Sequence, residues 1–71
     1  MSALTPAQAK MLDAIRAHFA SHPYAPSIKE LTEATGLGIG SVHGAIQRLK
    51  ARGAIRSVYG RARSIELVEN W

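Results

Sequence analysis

Seventy-one residues suffice for one domain, and a chain of that size buries only about 60% of the surface its unfolded form exposes, so its stability is modest. Having no cysteine, it has neither a disulfide framework nor a thiolate metal site; no apolar run approaches the roughly 20 residues of a membrane span, and the N-terminus lacks the charged-then-apolar pattern of a signal peptide. Nine Lys and Arg against five Asp and Glu give a net charge of +4, and together these features predict a cytoplasmic protein with an anionic partner.

The first element opens at "TPAQ". Thr5 is placed to cap a helix, Pro6 suits its first position and Gln8 closes a capping box. Leu12, Ile15 and Phe19 recur at helical spacing beside Met11 and Ala14, which predicts helix 1 over about 6–21. His18, next to this stripe, and His22, at its end, read as surface residues. No further ligand stands at metal spacing, so neither a metal nor a cofactor is expected.

"HPYAP" ends helix 1, because Pro23 and Pro26 each disfavour helix in the residue before them. "SIKE" is a second capping box, with Ser27 as the cap and Glu30 three residues on. Helix 2 is expected over about 28–35, burying Ile28, Leu31 and Ala34, with Gly36 as a left-handed stop. Helix 3 follows over about 40–52. Val42, Ala45, Ile46 and Leu49 share its core face, Ser41, Gly44, Gln47 and Arg48 lie opposite with His43 on the flank, and Gly53 ends it. "IRSVY", the turn "GRAR" and "SIELV" then read as a two-stranded hairpin over about 55–68, with Ile55, Ile65 and Leu67 pointing inward.

Two short helices joined by a tight glycine-containing turn match the helix-turn-helix, and a hairpin just after the second helix is a wing. The expected fold is therefore mainly α with a small β-hairpin: a winged helix-turn-helix of three helices and a two-stranded antiparallel wing, one domain over residues 1–71. Between Arg48 and Arg63 stand six cations and no carboxylate, while all five acids fall outside that window. Such a window is either an ordinary solvated face or the footprint of a polyanion.

The stretches "LTPAQAKMLDAIRAHFASHPYAPSIKELTEATGL" and "SVHGAIQRLKARGAIRSVYGRARSIEL" resemble the N-terminal DNA-binding domain of the LexA-type SOS repressors. The shared features are the "LT" start, "PS" before helix 2, "SVHG" opening helix 3, "L" with basic residues and "G" closing it, and "R-x-I-E-L" as the last strand. The resemblance covers residues 4–67 in order. It implies sequence-specific binding of double-stranded DNA in the bacterial cytosol or nucleoid, with helix 3 as the recognition helix. Ser41, His43, Gly44 and Gln47 would lie nearest the base edges. Backbone contacts would come from Ser27, Gly40, Arg48, Lys50 and Arg56, and from Arg61 and Arg63 at the hairpin tip. Two departures stand out. The turn "GIG" is one residue shorter than the family's serine-rich stretch, which shifts the register of helix 3. The Ser–Lys peptidase half and the Ala–Gly cleavage pair of such repressors have no counterpart, which predicts a single-domain relative without self-cleavage.

The chemistry of these residues fits that role. Gln47 can bond adenine bidentately, His43 can donate to guanine or phosphate, and Ser41 to a base or phosphate. The alternatives are that Gln47 is a plain surface residue and Ser41 a helix cap. Gly38 and Gly40 would open the start of helix 3 to phosphate, and Gly44 would let it sit deep in a groove, unless these glycines only tolerate a loose turn. Not all six cations can face one duplex, and about four neutralised phosphates would give a log K against log salt slope near −3.6. Tyr59 is placed either to stack on DNA or to pack on the core, and Trp71 to fray, to cap the core or to join a dimer contact. No nucleophile, acid–base pair or phosphate loop suggests an enzyme. The expected function is a transcriptional regulator that represses by occupying its site, as a homodimer in solution or on DNA. A winged-helix adaptor with a protein partner is the rival reading.

Overall fold

The computed structural model of the protein describes residues 4–58 and 60–68, so Tyr59 and Trp71 lie outside the described residues. Three helices, α1 (Pro6–Ser21), α2 (Ile28–Thr35) and α3 (Ile39–Arg52), are followed by two short strands, β1 (Ile55–Arg56) and β2 (Glu66–Leu67). Capping chemistry sets the first two starts. Gln8 N–H donates to Thr5 Oγ1 at 3.2 Å and Thr5 N–H to Gln8 Oε1 at 3.4 Å. At α2, Glu30 N–H donates to Ser27 Oγ at 3.1 Å and Ser27 N–H to Glu30 Oε1 at 2.8 Å. Both boxes satisfy amides that a helix start otherwise leaves unpaired. Gly36 ends α2 at φ +73° and Gly53 ends α3 at φ +84°, left-handed conformations that an L side chain enters only at a cost.

Periodicity decides what is buried. Met11, Leu12 and Ile15 of α1, Leu31 of α2, and Val42, Ala45, Ile46 and Leu49 of α3 close over Ala54, Ile55 and Ile65 of the hairpin region. Full burial of each Leu or Ile contributes about 1.5–3 kcal/mol, so this one cluster supplies the bulk of the stabilisation. The hairpin is stitched to α3 by Ala54 N–H to Leu49 O at 3.0 Å and closed by Val68 N–H to Ala54 O at 3.1 Å.

Some details depart from the sequence reading. Ala34 is exposed and Thr35 takes the buried place, because the inward stripe of α2 runs 28, 31, 35; the Thr35 hydroxyl donates to Leu31 O at 2.7 Å. His18 is not a plain surface residue. Its Nε2 is buried with no hydrogen-bond partner among the described residues, and its ring stacks on His22 with centroids 4.3 Å apart. Gly38 caps α3, so Ser41 lies inside the first turn instead of capping it. The strands pair over only two positions, Ile55 with Leu67 and Arg56 with Glu66. Among the described residues no helix is long and apolar enough to cross a membrane.

Candidate nucleic-acid interface

The outward face of α3 follows from its core face. With Val42, Ala45, Ile46 and Leu49 turned inward, a 100° step per residue turns Gly40, Gly44, Gln47 and Ala51 outward. This ridge carries one long polar side chain, Gln47, on an otherwise low profile. At its start the cap residue Gly38 has no side chain to offer the first amides, and an added Cβ at Gly38 or Gly40 would meet only open space. The N-terminal end of the helix dipole is thus uncovered, an arrangement that favours a nearby anion.

The other candidates divide between the two flanks of this ridge. His43 and Gln47 line a cleft between α3 and the wing that also takes in Ser27 and Lys29 from the start of α2 and Arg61 from the wing. Gly40, Ser41, Gly44 and Arg48 line the opposite hollow, with Thr5 and Gln8 at the start of α1. The side chain of Arg48 lies along Gly44, where a Cβ would come 3.4 Å from its Nη1. Lys50, half-buried in the last turn of α3, and Arg56, opposite Glu66 on the ladder, line neither hollow. Ser27 is committed to capping α2. Lys29 was missed by the sequence reading, although "SIKE" places it second in α2, the helix that precedes α3.

Arg63 lines the wing-side cleft as well, and its guanidinium turns back on the body of the protein. Nη1 donates to Glu30 Oε1 at 2.8 Å and to Ala25 O at 2.9 Å, Nη2 donates to Glu30 Oε2 at 3.3 Å, and the group lies 4.9 Å from the centre of the Tyr24 ring. The bonds from Arg63, then the Ser27 N–H, hold the Glu30 carboxyl at about 2, against its ordinary 4.5. The same carboxylate raises the pKa of the guanidinium. Ser64, also absent from the sequence reading, braces the wing from within. Its hydroxyl accepts from Val58 N–H at 2.9 Å and lies 3.2 and 3.1 Å from the carbonyls of Val58 and Arg61, either of which it can donate to. The Arg61 side chain remains exposed.

A family model described as the LexA DNA-binding domain matches residues 1–64. The LexA repressor of Koribacter versatilis is 41% identical over 69 residues, a stretch covering 96% of this chain and 33% of that protein. The LexA repressor of Bifidobacterium adolescentis is 44% identical over 68 residues, covering 94% of this chain and 26% of that protein. The chain therefore spans about a quarter to a third of the length of these curated relatives. Among solved structures, Bordetella bronchiseptica BpsR, from work on regulation of its DNA binding by 6-hydroxynicotinic acid, superposes with a TM-score of 0.74 at 32% identity, over 94% of this chain and 47% of that one.

Proposed function

The chain belongs to the LexA DNA-binding domain family, and from that premise we propose that it is a sequence-specific regulator that binds double-stranded DNA and represses by occupying its site. The observation that carries this reading is the outward ridge of α3: Gly40, Gly44 and Ala51 keep its profile low, and Gln47 offers a bidentate partner for adenine. Cations stand on both sides of that ridge, Lys29 and Arg61 across one hollow and Arg48 across the other. A helix lying in the major groove has a phosphate backbone on each side, so cations on both flanks suit that pose. His43 extends base reading toward the wing side and Ser41 toward α1.

A protein-binding adaptor is the second reading. In its favour are Ile39 and Val58, which are 63% and 58% exposed. Selection of random duplex DNA by the purified chain separates the two. Enrichment of a motif bound far more tightly than its scrambled counterpart supports the regulator. Weak, salt-sensitive binding without enrichment supports the adaptor.

A further inference from the structure

Taking α3 and the wing as the duplex-facing surface just proposed, we infer that Arg63 is a positioning residue: by clamping the wing onto the start of α2 it fixes where Arg61 meets the DNA backbone, and it does not itself touch the DNA.

The described ladder that should hold a wing is only two pairs long, so residues 57–58 and 60–65 are held by side-chain fasteners. Ser64 closes the loop on itself, through Val58 and Arg61. Arg63 ties that loop to the body, reaching Glu30 across 33 positions of sequence and Ala25 across 38. Its backbone stands at φ +51°, the left-handed region, where it is the sole non-glycine residue among those described. A side chain held there by three hydrogen bonds and the Tyr24 ring is fixed by its contacts, not by local preference.

The same contacts oppose phosphate binding: Nη1 and Nη2 already donate to Glu30, Nη1 also donates to Ala25 O, and a phosphate approaching the 44% exposed side chain would meet the ionised Glu30 carboxylate. Arg61 differs. It lies two residues earlier at the turn, its N–H is fixed by Val58 O at 3.1 Å, and its guanidinium has no hydrogen-bond or ion-pair partner among the described residues. The clamp therefore holds the loop that carries Arg61 on the same cleft that Lys29 lines, so that on this inference Arg61 is preorganised for the backbone.

The test is binding of the selected duplex to the full chain and its variants across a salt series. Arg63→Gly suits the left-handed backbone, and Glu30→Gln keeps a capping box while discharging the clamp. A wing that holds its posture about a tenth of the time would weaken each variant about tenfold at fixed salt, with the wild-type slope retained. The double variant should be no weaker than either single one, and Arg63→Lys, which keeps the charge but not the fork, should not restore binding. Arg61→Ala, in contrast, should flatten the slope by about 0.9, the signature of one lost phosphate contact. The same flattening in Arg63→Gly, or rescue by lysine, would make Arg63 a phosphate contact and overturn the inference. Wild-type affinity in Arg63→Gly and Glu30→Gln would overturn it while leaving DNA binding intact, and a wild-type chain that selects no duplex would overturn both. Should Arg63→Gly fail to fold by circular dichroism, Glu30→Gln decides alone.

Discussion

Gly44 has no backbone need to be glycine. It lies in mid-helix, and an added Cβ would meet only the mobile end of Arg48, at 3.4 Å. A helix-interior glycine costs about 1 kcal/mol relative to alanine, so stability alone would place alanine here. Gly44→Ala should raise the free energy of unfolding by about 0.5–1 kcal/mol in a denaturant titration while weakening binding to the selected duplex. Added stability with unchanged affinity would mean that the glycine gives the groove no closer approach. Gln47, next along the ridge, carries a different expectation. Gln47→Ala should relax preference at one base position by about 1–3 kcal/mol, measured against a panel of single-base variants of the duplex. A uniform loss across that panel would make Gln47 a surface residue with no reading role.

The start of α2 joins two devices in one carboxylate, since Glu30 serves both the capping box and the Arg63 clamp. Its folded-state pKa of about 2 lies below the ordinary 4.5, so the linked stabilisation is complete above the ordinary value and is lost as pH falls through about 2. The melting temperature of wild type should therefore exceed that of Glu30→Gln by a constant margin above about pH 5.5, and the margin should close toward pH 2. A margin that is flat through that range would mean the ion pair does not form in solution. The capping box half of this was legible in the letters "SIKE", as were the helical stripes and the order of three helices and a hairpin. Caps and stripes depend on residues three to seven apart, which a sequence displays directly. The clamp joins residues 33 and 38 positions apart and reverses the direction that a hairpin-tip arginine is expected to take, so the cationic window could not separate Arg63 from Arg61. Thr35 replaced Ala34 in the core for a related reason: a threonine that bonds its own helix carbonyl can enter an apolar site that its polarity argues against.

For the whole molecule, the salt dependence of binding counts the cations that meet phosphate. The sequence window suggested four. With Lys50 and Arg56 outside both hollows and Arg63 paired with Glu30, Lys29, Arg48 and Arg61 are left to meet phosphate on the reading proposed above, which gives a slope of about −2.7 for one copy. A domain of this size buries little surface on DNA, and the regulator proposed above is expected to bind as two copies. Half-sites of such paired domains lie roughly 34–36 Å apart, one helical turn along one face of the duplex. The selected motif should then show two related half-sites at that spacing, and the slope should double to about −5.4. A single half-site with a slope near −2.7 would instead describe a protein that binds as one copy, and a steeper single-site slope would return Lys50 or Arg56 to the phosphate-contacting set. Half-site count and slope are independent readings of the same stoichiometry, so agreement between them fixes how many copies the DNA holds.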